Sequence, residues 1–269
     1  MSLIRLKNVT RKFEEPTRMV LKDVFFRVAA GERVGLIGKN GTGKTTLLNL
    51  ICGRDEPTEG TVELTDGVKI GYGAVIGNDP QDLKYKGEET WVEIGSGTII
   101  REYSTVNRGS TATGKTTVGE RCFLMTYVHI AHDCVIGNDV IIANAVQMAG
   151  HVTVHERAII SGLVPIHQFV RIGTYSFVGG GSRVNQDVPP YTKAAGNPVH
   201  LYGLNSVGLQ RAGFSPELKL ALKRAYRLVF NSDLTVSQGI ARARTELPQI
   251  AEVETFLQFI EVSQRGVMV

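Results

Sequence analysis

Cysteine is scarce in this chain: Cys52, Cys122 and Cys134 are the only three. An odd number with no CxxC spacing and no Cys/His cluster of metal-ligand spacing excludes a disulfide framework and a closed Cys/His metal site, so no metal is expected and a reducing compartment is. No apolar run reaches the roughly 18 residues of a membrane span. The start, Met1 to Lys7, also lacks the apolar stretch and cleavage site of a signal peptide, so a cytoplasmic location is expected. Neither sign of charge dominates: Lys plus Arg number 30 against 26 acidic residues, a net +4 without blocks of like charge. That excludes nucleic acid as the expected partner and leaves a modest preference for acidic ones. Aromatic residues make up only 7%, whereas glycine is plentiful at 30 of 269, which predicts many tight backbone corners.

Residues 1–72 read as the opening of a nucleotide-binding α/β domain. Ile4–Val9 and Val20–Val28 have strand-like patterns, and a short apolar strand over 33–37 runs into Gly38-Lys39-Asn40-Gly41-Thr42-Gly43-Lys44-Thr45. Thr46 to Ile51 then continues as a helix. Strand, glycine-rich loop and helix in that order form a phosphate cradle. Backbone amides close on the phosphates, Lys44 reaches the β- and γ-phosphates, and Thr45 holds Mg²⁺. A second match, Gly109 to Thr116, has neither a buried strand before it nor a helix after it, and reads as a surface loop.

From Val118 onward an apolar residue returns at every sixth position: Leu124, Ile130, Ile136, Ile142, Met148, Val154, Ile160, Ile166, Ile172, Val178, Val184. Neither a helix nor a simple strand has that period. It reads as a hexapeptide-repeat parallel β-helix with coils of about 18 residues, each aliphatic side chain pointing inward and small or turn-forming residues at the corners. An earlier coil is visible from Val92 through Ile100 and Val106, and residues 108–117 interrupt it as an external loop. Residues 18 apart should therefore stack about 4.8 Å apart. His132, Gly150 and Gln168 make one such column. His129, Gln147 and Pro165 make a second, and Asp133, His151 and Phe169 a third. With His167 nearby, four histidines crowd neighbouring coils, which suits a polar catalytic cleft, although solvated side chains on a wall are the plainer alternative. After residue 205 the period turns helical, with Ser215-Pro216-Glu217 as a helix start and Leu234-Thr235 and Pro248 as later punctuation.

Two resemblances follow from these motifs. Leu6 to Val9, Leu21 to Val24, the Gly38–Thr45 loop and Gly53 to Val62 resemble the start of an ATP-binding cassette domain, in which Phe13 matches the aromatic residue that stacks on adenine. The resemblance implies nucleotide contacts from Phe13, Gly38, Asn40, Gly41, Gly43, Lys44, Thr45 and Thr46. It stops near Tyr72, before any signature motif or acidic strand end, so ATP with Mg²⁺ is a candidate ligand without hydrolysis.

From about Gly73 the chain resembles the UDP-N-acetylglucosamine O-acyltransferases that begin lipid A synthesis. The resemblance rests on Pro80 to Tyr85, His129 to Cys134, Ala149 to Val152, Ile166 to Phe169 and Asp187 to Tyr191. It implies a left-handed β-helix over 73–199, a helical domain over 200–269, a cytoplasmic homotrimer with sites between neighbouring β-helices, and no cofactor. Acyl carrier protein and UDP-N-acetylglucosamine are the implied partners. The implied catalytic residues are His132 as base, Asp133 as its orienting partner and the Gly150 N–H as oxyanion donor. Asp82, Lys84, His129, His151, His167, Gln168, Asn205 and Arg211 would hold substrate, and Gly180 would line the far end of the acyl groove, unless the three glycines 179–181 only turn a corner. Val207 and Ala212 depart from the family pattern, which has an acidic residue and an arginine there. The family's pattern normally begins some 70 residues earlier, so the join at 72–73 reads as a fusion or swap, and an ATP-binding module on an inactive trimeric scaffold is the alternative function.

Overall fold

The computed structural model describes residues 2–14, 17–29, 36, 39, 41–51, 58–64 and 67–268. Near the N-terminus, β1 (Ser2–Glu14) pairs antiparallel with β2 (Thr17–Ala29) on one side and β3 (Glu59–Leu64) on the other. Helix α1 (Lys44–Ile51) lays Leu47 and Leu50 against Leu6, Val9 and Leu21, a small core of its own. The expected strands at 4–9 and 20–28 and the helix after the loop are thus present. The expected strand over 33–37, apart from Leu36, lies outside the described residues, as do Gly38 and Asn40.

The remainder is a three-walled parallel β-helix. Its first coil is β4 (Lys69–Ile70), β5 (Val75–Asn78) and β6 (Trp91–Ile94), and its second is β7 (Ile99–Ile100), β8 (Thr105–Asn107) and β9 (Lys115–Val118). The third is β10 (Phe123–Leu124), β11 (His129–Ile130) and β12 (Val135–Ile136), and the fourth is β13 (Ile141–Ile142), β14 (Gln147–Met148) and β15 (Thr153–Val154). The fifth is β16 (Ile159–Ile160), β17 (Pro165–Ile166) and β18 (Arg171–Ile172). The first wall continues through β19 (Phe177–Val178) and β20 (Thr192–Ala195) to β21 (His200–Leu204), which turns back antiparallel. A wall is a parallel ladder of strands one coil apart, as in His129 beside Gln147 and Gln147 beside Pro165.

The period-six residues fill the interior. Ile100, Leu124, Ile142 and Ile160 back the first wall, Ile130, Met148 and Ile166 the second, and Ile136, Val154 and Ile172 the third, all at most 3% exposed. Burying each such side chain stabilises the fold by roughly 1.5–3 kcal/mol. A second inward series, two residues earlier, was not anticipated: Cys122, Val128, Cys134, Val140, Val146, Val152, Ala158, Val164 and Val170 are equally buried. Two of the cysteines thus serve as small core residues, and burial pushes the Cys134 thiol up to about 12.

The corners meet expectation in part: Gly97, Asp133, Asp139 and Ala145 are the small or turn-forming residues expected there, but Tyr103, Arg121, Tyr127, Arg157, Leu163, Phe169 and Tyr175 also take left-handed backbone conformations, with φ between 53° and 64°. Such a conformation costs a side-chain-bearing residue about 1–2 kcal/mol. Stacking along the columns offsets it: Tyr103 and Tyr127 lie face to face at 5.4 Å, and Arg121 grips Asp139 through Nε and Nη2 at 2.8 and 3.0 Å.

Two loops leave the β-helix, both from the end of a second-wall strand: residues 79–90 between β5 and β6, and 108–114 between β8 and β9. At the other end, α2 (Ser206–Arg211), α3 (Pro216–Phe230), α4 (Val236–Glu246) and α5 (Ala251–Glu261) pack around Leu222, Tyr226, Phe256 and Ile260. Ser215 caps α3 by accepting from the Leu218 N–H, and Thr235 closes a capping box with Gln238 on α4. The C-terminal segment returns to the coils, where Val267 bridges Asp187 and Met268 enters the β-helix core. Among the described residues no helix is long and apolar enough to cross a membrane.

Candidate active site

The edge between the second and third walls gathers most of the residues singled out above. Each coil turns there after a second-wall strand, so the turn after β11 presents His132 and Asp133, the turn after β14 presents Gly150 and His151, and the turn after β17 presents His167, Gln168 and Phe169. The predicted columns are observed: the His151 N–H donates to the His132 carbonyl at 3.1 Å, and the Phe169 N–H to that of Gly150 at 3.2 Å. Phe169 stacks on His151 with ring centres 4.6 Å apart, and His151 meets His132 edge-on at 5.2 Å.

Asp133 organises this edge. Its carboxylate, fully buried, faces His132 Nδ1 through Oδ2 at 2.7 Å and lies 3.7 Å from His151 Nε2. It also accepts from the Ser110 N–H at 2.9 Å, the Ser110 hydroxyl at 2.7 Å and the Thr113 hydroxyl. Its own N–H donates to Thr116 Oγ1 at 2.8 Å. Burial alone favours the neutral acid. The Ser110 and Thr113 hydroxyls, His132 and the Ser110 N–H together outweigh it and bring Asp133 down to about 2. An ionised carboxylate only accepts, so the neutral His132 ring carries its proton on Nδ1 and turns the lone pair of Nε2 outward.

Gly150 makes room for that ring. A Cβ at this position would lie 2.6 Å from His132 Cε1 and 2.8 Å from Nε2, so any side chain would displace the imidazole. His129, one strand back, sits on the second wall with Nδ1 2.7 Å from the Thr105 hydroxyl. Burial, then the field of His132, holds its ring below the usual histidine range. His132, Asp133 and His151 each offer one potential ligand atom, all within 4.8 Å of one another. Both Asp133 oxygens already accept hydrogen bonds, and Oδ2 is the one that faces His132 Nδ1.

The other predicted residues are more scattered. Asp82 and Lys84 ride on the 79–90 loop at the same edge, where Asp82 Oδ1 accepts from the Lys84 N–H. Arg108 fastens that loop by pairing with Asp79 and reaching the Tyr85 hydroxyl. His167 is exposed, with Nδ1 3.1 Å from the Gln168 carbonyl. Asn205 and Arg211 lie elsewhere. Asn205 caps α2 by accepting from the Gly208 N–H and donates to the Tyr175 carbonyl, on the edge between the third and first walls. Gly180 lies on the remaining edge, between the first and second walls, where a Cβ would meet only the Gly162 carbonyl oxygen at 3.3 Å and Ser161. Gly181, not Gly180, has the left-handed conformation, with φ of 68°.

Thr105, Arg108, Ser110, Thr113 and Thr116 escaped the sequence reading. The Gly109–Thr116 loop, read as a surface feature with no buried strand before it and no helix after it, does lack the helix and leads into β9, but it follows the buried strand β8, and its Ser110 and Thr116 are buried. The signal was its concentration of hydroxyls beside a strand expected to carry histidines. In the N-terminal piece, Gly41 and Gly43 have left-handed φ of 83° and 88°, and Lys44 Nζ donates to the Lys39 carbonyl at 2.6 Å. Thr45 is exposed and Thr46 half-buried at the start of α1, while Phe13, 37% exposed, lies under the Arg11 guanidinium.

Comparison with known proteins agrees with this geometry. A family model described as UDP-N-acetylglucosamine O-acyltransferase domain 2 matches residues 187–268, and one of six bacterial transferase hexapeptide repeats matches 115–150. An acyl-[acyl-carrier-protein]–UDP-N-acetylglucosamine O-acyltransferase of Synechocystis sp. is 48% identical over 202 residues, which are 74% of this chain and 73% of the relative. The chain belongs to that O-acyltransferase family. A Burkholderia lata member is 44% identical over 206 residues, 74% of this chain and 78% of its own. The UDP-N-acetylglucosamine acyltransferase structure from Bacteroides fragilis superposes with a TM-score of 0.74 at 44% identity, covering 76% of this chain and 80% of that one. The Arabidopsis enzyme gives 0.72 at 38%, covering 75% and 74%. The expected left-handed winding of the β-helix stands with this family. An ABC transporter model also matches, over residues 21–93, a span that runs past α1 into β4, β5 and β6.

Proposed function

We propose that the chain transfers a 3-hydroxyacyl group from acyl carrier protein to the 3-hydroxyl of UDP-N-acetylglucosamine, the first step of lipid A synthesis. The observation that carries this reading is the His132–Asp133 pair seated over Gly150, with Nε2 free of the carboxylate and within 2.8 Å of where a Gly150 Cβ would lie. The sugar hydroxyl oxygen attacks the thioester carbon as its proton passes to Nε2. The Gly150 N–H donates to the oxyanion of the tetrahedral intermediate. When that collapses the carbon–sulfur bond breaks, and the imidazolium returns its proton to the departing thiolate, leaving an ester and a free carrier thiol. Asp133 keeps the ring in the required tautomer and stabilises the imidazolium. No cofactor enters.

His129, His151, His167, Gln168, Asp82 and Lys84 lie along one edge and are assigned to substrate, whereas Gly180, Asn205 and Arg211 sit on the other two edges. A homotrimer in which neighbouring β-helices face each other edge to edge reunites them, and this division supports a site shared between copies. The basic residues Lys219, Lys223, Arg224 and Arg227 of α3 suit the acidic carrier protein. A cytoplasmic setting fits these substrates. For the N-terminal piece, an ATP-with-Mg²⁺ site at Gly41, Gly43, Lys44, Thr45 and Thr46, with Phe13 as the adenine-stacking residue, is the cassette-like reading; the match over 21–93 supports it. Acyl transfer measured from hydroxyacyl carrier protein to the UDP sugar, beside an ATP titration of the same protein, tests both: transfer without ATP supports the acyltransferase, and ATP binding with no transfer supports a nucleotide module on an inert scaffold.

A further inference from the structure

The loop 108–114 reaches around the edge of the β-helix and closes on Asp133, more than one coil away in sequence. Ser110 gives Asp133 two hydrogen bonds, Oγ to Oδ2 and backbone N–H to Oδ1, and Thr113 gives a third to Oδ1. The loop is itself braced: the Ala112 N–H donates to Ser110 Oγ, and Thr113 Oγ1 is also within 2.9 Å of the Lys115 carbonyl. Ser110 is 7% exposed and Asp133 3%. Hydroxyls donated to a buried carboxylate hold its charge in place and fix the direction of its remaining lone pairs. Here that remaining direction is toward His132 Nδ1.

We propose that Ser110 and Thr113 are positioning residues of the acyl-transfer site, which aim the Asp133 carboxylate at His132 and keep it ionised while the ring takes up a proton. This rests on the reading of His132 as the base. The charged and titratable groups around Asp133 are few. His132 lies on its own turn, His151 on the next coil and His129 on β11. Arg108 at the start of the loop is committed to Asp79, and Lys115 on β9 to Glu93 at 2.8 Å. Cys134, the next residue, is buried and neutral. Nothing else in this neighbourhood replaces the two hydroxyls.

Ser110→Ala with Thr113→Val removes both donors and leaves the Ser110 N–H. On a folded protein, kcat should fall about tenfold with KM for the UDP sugar nearly unchanged, because the loss falls on the transition state. The acidic limb of the kcat/KM profile, which reports the coupled His132–Asp133 pair, should move about one unit to higher pH, since the carboxylate then releases its proton less readily. Ser110→Thr and Thr113→Ser should restore both values. If the double variant does not fold, Thr113→Val alone, at the more exposed hydroxyl, carries the test, with a smaller shift in the same direction expected. Unchanged kcat and unchanged limb in a folded variant overturn the proposal. His132→Ala serves as the control: if it abolishes transfer while the hydroxyl variants are silent, only the positioning role fails, and if it retains transfer, the reading beneath it fails too.

Discussion

Two loops in this chain match one phosphate-loop pattern, Gly38–Thr45 and Gly109–Thr116, and they end in different company. The first runs into α1, with its lysine turned onto the loop's own Lys39 carbonyl. The second runs into β9, its lysine turned outward to Glu93, while Ser110, Thr113 and Thr116 meet Asp133. Glycine spacing sets what the backbone can do. What the side chains do depends on the element that follows. A helix start presents amides to an anion, whereas a strand of a β-helix presents alternate residues to the wall it joins. If the proposed function holds, the second loop bears on acyl transfer and the first does not, and substitution at both sites can break that division.

Among the glycine and loop substitutions, the largest effect is expected at Gly150. Gly150→Ala places a methyl against His132 and should lower kcat by about one to two orders of magnitude, part of the roughly 10²–10⁴-fold that a well-placed acid–base group supplies, with the melting temperature little changed because only one ring must move. Steady-state kinetics beside a thermal melt check it, and near-normal turnover would detach the imidazole from catalysis. A smaller effect is expected at Gly180, whose backbone does not need glycine and whose missing Cβ faces only Gly162 and Ser161. Gly180→Met should shift donor preference toward acyl chains a few methylenes shorter by about tenfold, at roughly 0.8 kcal/mol per methylene. Rates across a series of donor lengths decide between this and a uniform loss, which would leave the glycines a folding role alone. The smallest effect belongs to the first loop. Lys44→Ala should leave the transfer rate unchanged; an ATP-dependent rate that this substitution abolishes would instead make the N-terminal piece a regulator.

Much of the β-helix was legible because its period is unlike that of other elements. Ile130, Met148 and Ile166 repeat at a spacing only a three-walled coil explains, and that spacing placed His132 over Gly150 and Asp133 beside His151 before any contact was known. The second inward series escaped because Cys122, Cys134 and Ala158 are small and do not stand out as core residues. The bulky left-handed corners escaped because Tyr127 and Arg121 are poor turn formers singly and are supported by their neighbours one coil away, Tyr103 and Asp139. Ser110 and Thr113 were invisible for another reason: periodicity places residues within coils, but not the path of a loop that leaves one coil and closes on the next. Asn205, which the resemblance implies as a substrate contact, accepts from the Gly208 N–H and donates to the Tyr175 carbonyl, two contacts that no spacing in the sequence announces.

The central claim is that His132, held by Asp133, is the base of an acyl transfer. The rate of ester formation from hydroxyacyl carrier protein and UDP-N-acetylglucosamine, measured for the full chain and for His132→Ala at the same oligomeric state, tests it most directly. The account predicts a loss of at least about a hundredfold in kcat, with UDP-sugar binding retained. Turnover within a few-fold of the unsubstituted chain would contradict it.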